Sequence, residues 1–304
     1  MNSSRRRFIE KVSLASALLS ALEATSNNNI FSVAQSGFTL QVLATNWGFS
    51  GNWDAFAGKV AQSGYDGVEV WAPLDSKSRE EFLAAMSKHK LKFGFLIGGS
   101  DRDPAKHLEQ FHKALQTALS MKPLYINCHS GKDWFSFENN KKIIDLSYRE
   151  SQGSGITVCH ETHRGRILYS GPVAKTYLDQ IPDLRVTADL SHWCVVHESL
   201  LEDQADTVAL ALSKTEHIHA RIGHAEGPQV SDPQAPEWAK AVEAHVKWWD
   251  VVAERKRKEG KALTILTEFG PPDYMPTEPY SRKPLADQWG VNVFVKDLLR
   301  KRYS

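Results

Sequence analysis

A chain of 304 residues suits one large α/β domain as well as two smaller ones. With 41% of its residues hydrophobic and 24% charged, it can bury a core beneath a solvated surface. The formal charge is +1, and it becomes −1 without residues 1–34, which hold four bases and two acids; such a balance offers no polyanion footprint and excludes nucleic acid as an expected partner.

Residues 1–36 read as an export signal and linker, which leaves 37–304 for the fold. The run Ser4-Arg5-Arg6-Arg7-Phe8-Ile9 resembles the twin-arginine signal of bacteria, and a short apolar stretch, Val12 to Leu22, follows it. That stretch is too short and too rich in Ser and Ala to serve as a stable membrane anchor. Small-residue cleavage points lie after Ala24 or Ala34. The expectation is a periplasmic or secreted protein that meets the twin-arginine export machinery, with a basic tail as the alternative.

Eight strand-like segments then alternate with helical patterns: 39–44, 67–71, 92–97, 124–128, 156–159, 185–189, 217–222 and 263–268. Between them, 52–63 carries apolar residues at 53, 56, 57, 60 and 61, and 78–89 and 104–120 continue the helical period. Strands apolar on both faces, with helices between, predict a parallel sheet. Eight such units predict a single-domain (β/α)8 TIM barrel, with an open doubly wound sheet as the competitor. The competitor wants a glycine-rich phosphate loop after the first strand, and Asn46-Trp47-Gly48-Phe49-Ser50-Gly51 is not one. The mixed-sign run 254–259 reads as the solvated face of a helix. The Pro- and Tyr-rich stretch 270–288 reads as a long loop over the barrel mouth before a last helix, 291–302. Cys128, Cys159 and Cys194 read as small buried residues, with a Cys128–Cys159 bridge as an option in an oxidising compartment.

Barrel chemistry sits at the C-terminal ends of strands. Four such ends carry Glu161, Asp189, His219 and Glu268, spaced 28, 30 and 49 residues apart. A strand–helix unit needs about 30 residues, so consecutive units deliver these side chains to one end of the barrel. Three carboxylates and an imidazole favour Mn²⁺, with Mg²⁺, Co²⁺ or Zn²⁺ as other occupants. Glu161 and Glu268 are the candidate proton-moving pair. Strand alternation turns Cys159, His217, Arg221 and Leu266 inward with the ligands, and the layer below them is expected to be small or apolar. His192 and Arg221 are expected to face substrate, His192 with a supporting place behind the ligands as its alternative, and Arg221 neutralising a developing enolate or, alternatively, pairing with a ligand carboxylate. Glu69 and His129 are candidates for binding hydroxyls, and His163 and Arg164 lie just beyond Glu161. Trp47, Trp71, Trp134 and Trp193 follow strands, where some would stack on sugar C–H surfaces and others pack the barrel.

The segments Gly-Tyr-Asp-Gly-Val-Glu69, Cys-His-Glu161-Thr-His-Arg, Ala-Asp189-Leu-Ser-His192, His217-Ile-His219-Ala-Arg221 and Thr-Glu268-Phe-Gly together resemble the xylose isomerase-like barrel superfamily, nearest its sugar phosphate isomerase/epimerase group. The resemblance spans roughly residues 38–300. It implies a (β/α)8 barrel, a divalent metal on the residues matching Glu161, Asp189, His219 and Glu268, and proton transfer by Glu161 and Glu268. Ketose epimerases of the group place an arginine six residues after the metal histidine; here that position, 225, is Ala, and the arginine is Arg221.

The expected activity is isomerisation or epimerisation of a non-phosphorylated sugar or sugar derivative, by proton abstraction α to a carbonyl. The same first step on a 3-keto-glycoside would make the chain a lyase or hydratase. A phosphodiester hydrolase of the endonuclease branch and a non-catalytic sugar-binding barrel are the remaining classes. The partner is a small sugar, and a homo-oligomer is left open.

Overall fold

The computed structural model describes residues 37–304. The export-signal and linker reading of 1–36 lies outside the described residues. Eight strands, β1 (Thr39–Thr45), β2 (Gly67–Trp71), β3 (Lys92–Gly98), β4 (Tyr125–His129), β5 (Thr157–Glu161), β6 (Val186–Ala188), β7 (Thr215–Ala220) and β8 (Ala262–Thr267), pair in sequence order. The last returns to the first, β1 to β8 over six residues, so the sheet is a closed barrel. All eight pairings are parallel.

Alternation along the strands sorts the core into two parts. Val42, Val70, Phe95, Ile126, Val158, Ile218 and Ile265 turn outward into one large cluster with the helices. Inside the barrel, among the described residues, Leu43, Tyr125 and Leu266 form a small apolar group, and buried polar side chains such as Glu69, Asn127, His217 and His219 share the interior with them.

The helices start where the chain supplies a side-chain acceptor for the free N–H groups of the first turn. Asn52, Asp75 and Asp103 cap Trp53–Gln62, Ser76–His89 and Pro104–Ser120, and Ser136 caps Phe137–Ser154. Asp287 caps the last helix, Gln288–Tyr303, which therefore begins three residues before the predicted start.

Two readings are corrected. The run 254–259 is solvated only in part: Lys258 and Glu259 are exposed, but Lys256 is buried and paired with Glu216, because its helix, Ala239–Lys258, turns that side onto β7. The three cysteines are free and buried. Asn127 pairs with Cys159 and Cys128 with His160, so Cys128 and Cys159 point to opposite faces of neighbouring strands, unsuited to a bridge. Among the described residues, no helix is long and apolar enough to cross a membrane.

Candidate functional site

Glu161 ends β5, His219 lies in β7, and Asp189 and Glu268 each follow their strand by one residue. Together they bring one donor atom each within 4.8 Å of one another, all four residues buried. His219 Nδ1 is 2.7 Å from Glu268 Oε2 and 3.5 Å from Glu161 Oε2. The 2.7 Å contact is not aligned as a hydrogen bond, and both His219 Nδ1 and Glu161 Oε1 are buried without a hydrogen-bond partner. Buried polar atoms without partners call for a ligand. Three carboxylates and an imidazole nitrogen converging on one point have the donor chemistry of a divalent cation site.

The local charges are strongly coupled. Burial alone would raise the Glu161 carboxyl, but the charges of His129 and His219 hold it well below the usual range. Burial disfavours a charged His219, yet Glu268, Glu161 and Glu69 together hold its imidazolium well above the ordinary value. Burial pushes the Asp189 carboxyl up to about 6, against the pull of Arg221.

Arg221 Nε and Nη2 donate to Asp189 Oδ2 at 3.1 and 3.0 Å, and Nη2 donates to Glu268 Oε2 at 2.6 Å. The ion-pair alternative read from the sequence therefore holds. The remaining nitrogen, Nη1, is buried without a partner, and the residue also lines the cavity above the site. That cavity measures about 420 Å³ and is walled by Trp47, Trp71, His129, His163 and Tyr274, with Glu268 and Glu69 at its floor. His129 Nε2 lies 2.8 Å from Glu161 Oε2, and its ring meets the edge of Trp71. His163 donates from Nδ1 to the Arg164 carbonyl at 2.5 Å; burial and the neighbouring His129 hold it well below its ordinary pKa, hence neutral. Its Nε2 is thus left as an acceptor.

One predicted substrate contact is corrected. His192 is wholly buried and is not part of the cavity wall. The first turn of Ser191–Val196 carries it behind Asp189, where Nδ1 accepts from Arg164 Nη1 at 2.9 Å and the ring packs on His163. Glu69 lines the cavity, and both of its oxygens already face partners below it. Oε1 is 2.9 Å from His219 Nε2, and Oε2 accepts from Tyr125 Oη at 2.7 Å and lies 3.0 Å from His217 Nε2. The layer below the ligands is accordingly mixed: Cys159 and Leu266 are small or apolar as expected, whereas Glu69 and His217 make part of it polar. Of the other tryptophans, Trp193 is packing, buried with its indole N–H on the Leu168 carbonyl, and Trp134 is exposed away from the cavity wall.

Sequence reasoning missed three residues. Asn127 donates to Glu161 Oε2 at 2.6 Å; it lies two residues before His129 on β4, so the period of two pointed to it. Tyr125, two further back, is found by the same period. Tyr274 stands beneath Arg221 and Arg164 with its ring 4.7 and 5.0 Å from their guanidinium carbons. It comes from a loop, where no periodicity signals direction.

A family model described as xylose isomerase-like TIM barrel matches residues 57–230. Among solved structures, the 3-keto-D-glucoside 4-epimerase of E. coli superposes with a TM-score of 0.58, at 14% identity over 86% of this chain and 100% of that one. A probable 3-DHS dehydratase from Bacillus anthracis gives 0.57 at 16% identity, over 87% and 100%. A sugar phosphate isomerase/epimerase from Parabacteroides distasonis gives 0.54 at 11% identity, over 90% and 97%. At these identities the likeness is one of fold. No curated protein matches the sequence.

Proposed function

Because the chain belongs to the xylose isomerase-like TIM-barrel family, we propose that it is a divalent-metal-dependent enzyme that removes a proton α to the carbonyl of a sugar, and returns it as an isomerase or epimerase. The observation that carries this reading is the meeting of Glu161, Asp189, His219 and Glu268 beside a cavity walled by tryptophan and histidine, which Glu268 itself lines. A cation held by these four residues, Mn²⁺ by preference, would polarise the carbonyl and fix a neighbouring hydroxyl.

The protein's own groups supply the rest. Glu161 Oε1, buried and without a hydrogen-bond partner, takes the proton, while Asn127 and His129 hold Oε2 in place. Arg221 Nη1, also without a partner, offsets the negative charge that develops on the enolate oxygen. Glu268 returns a proton from the other side of the site. Trp47 and Trp71 offer flat apolar faces to the sugar ring. His163 presents an acceptor nitrogen for a hydroxyl.

The fate of the enolate divides the isomerase from the lyase. With a 3-keto-glycoside the same abstraction can expel the group at C1. Metal-loaded protein is therefore incubated in D₂O with a free ketose and with a 3-keto-glucoside, and followed by NMR. Exchange of a C–H beside the carbonyl, lost in Glu268→Gln, supports the enzyme reading. Release of the aglycone turns it to a lyase, and no exchange with either sugar defeats both and leaves a binding barrel.

One observation favours a second class. His129, Glu161 and His163 form another donor group within 4.8 Å that shares Glu161 with the first, as a multi-metal phosphodiesterase would require. The near-neutral charge opposes it. Nicking of abasic DNA by the metal-loaded protein would revive it.

A further inference from the structure

We infer that Glu69, which lies outside the candidate ligand set, is the positioning residue that presents His219 Nδ1 to the cation; this rests on the metal-site reading above. Glu69 stands in the middle of β2, across the barrel from β7, and is 2% exposed. Its Oε1 lies 2.9 Å from His219 Nε2. A carboxylate only accepts, so this contact requires the imidazole proton on Nε2. The lone pair of the neutral ring then falls on Nδ1, the nitrogen that faces Glu268 and Glu161. Asn127 Nδ2 is 3.1 Å from the same Nε2, but it is itself a donor, committed to Glu161 Oε2 at 2.6 Å. Glu69 is therefore the acceptor that fixes the tautomer.

Glu69 is in turn held by one hydrogen bond and flanked by an imidazole. Tyr125 Oη donates to its Oε2 at 2.7 Å. His217 Nε2 lies 3.0 Å from that oxygen, and the opposite ring nitrogen, Nδ1, rests on Thr264 at 2.8 Å from Oγ1. The Tyr125 ring stacks on His217 with centroids 4.0 Å apart. Tyr125 reaches inward because β3 carries glycine at 94: a Cβ there would come within 2.5 Å of the tyrosine ring. The residues from Thr264 through His217 and Glu69 to His219 thus form a braced line beneath the ligands. Partners of this kind set both ring orientation and donor strength, and their loss weakens metal binding by about 10- to 100-fold.

Two measurements test the inference. In the first, Mn²⁺ is titrated into wild type and Glu69→Gln, free ion being read by electron paramagnetic resonance and folding by circular dichroism. Wild type is expected to bind, and the folded variant to bind about 10- to 100-fold more weakly. Equal affinity in the two overturns the role of Glu69 and leaves the metal site standing. No Mn²⁺ binding by wild type overturns the metal reading and this inference with it. The second needs no variant. In Zn²⁺-loaded wild type, long-range ¹⁵N–¹H spectra of the histidines are expected to show His219 protonated at Nε2 and ligated at Nδ1. A proton on Nδ1 would overturn the assignment, whereas a merely structural Glu69 would not set the tautomer.

Discussion

Arg221 ties Asp189 to Glu268: its Nη2 is 3.0 Å from Asp189 Oδ2 and 2.6 Å from Glu268 Oε2. One guanidinium thereby crosslinks the residues that follow β6 and β8, over the end of β7. The geometry uses the planar fork of arginine, which a lysine point charge does not reproduce.

Removing that crosslink leaves two buried carboxylates facing each other. In the metal-free protein, Arg221→Met is expected to cost about 3–5 kcal/mol of stability, the usual penalty for breaking a buried ion pair from one side. Added Mn²⁺ is expected to restore part of the loss, because a cation bound to the same carboxylates replaces some of the missing charge. Chemical denaturation with and without metal checks both statements, and a variant as stable as wild type would show that the pairing is not what balances the carboxylates.

Metal affinity is expected to climb with pH. His219 is held well above its ordinary pKa by Glu268, Glu161 and Glu69 in spite of burial, so in the metal-free protein it carries a proton on Nδ1 at neutral pH. A cation can bind there only as that proton leaves. Asp189, pushed up to about 6 by burial, must also be ionised and adds a second proton at lower pH. Below the folded pKa of His219 the affinity for Mn²⁺ should therefore rise about tenfold per pH unit, and more steeply below pH 6. Titration calorimetry in buffers of different ionisation enthalpy counts the protons released. A pH-independent affinity with no proton release would mean that His219 is not a ligand.

The candidate ligand cluster was legible because each member stands at a strand end and strand ends share one rim of a barrel. What alternation leaves unread is depth and direction. Glu69 faces inward as expected, but its partner on β7 lies 150 residues away, and the spacing along β2 does not tell a rim residue from one in the layer beneath. His192 follows Asp189 closely in sequence, yet the first helical turn aims it behind the ligand instead of into the cavity. Tyr274 is supplied by a loop whose course depends on packing, such as Gly270 against the Trp47 ring, where a Cβ would approach within 2.5 Å. The polar part of the interior was unread for the same reason as Glu69: Tyr125 and His217 meet Glu69 only after the barrel closes.

The thiols should be inert in the folded protein. Cys128, Cys159 and Cys194 are all at most 1% exposed. Burial pushes the Cys194 thiol up to about 12, and it drives Cys128 and Cys159 upward too. Reactivity belongs to the thiolate, which is scarce at neutral pH in such surroundings. A chromogenic disulfide reagent is expected to find no thiol in native protein and all three after denaturation in urea. A fast-reacting native thiol would contradict the packing of the two strands and the short helix that carry them.

Trp71 and Trp47 both wall the cavity, but they should respond differently to truncation. Trp71 is 54% exposed, and its ring contact is an edge against His129 at 5.8 Å between centroids. Trp47 is 36% exposed and meets the edge of Tyr274 at 4.9 Å, with Gly270 close against its ring. Losing an exposed side chain that supports nothing changes stability by no more than about 0.5 kcal/mol. Trp71→Ala should therefore melt with wild type, whereas Trp47→Ala should melt earlier. An aromatic face on a sugar ring contributes about 1 kcal/mol beyond the area it covers. Trp71→Ala should thus weaken sugar binding by about fivefold, raising KM with little change in kcat, because the contact is made equally in ground and transition states. Thermal melts and titration with the sugar that shows exchange in D₂O provide the readouts, and unchanged affinity in Trp71→Ala would remove that ring from the binding surface.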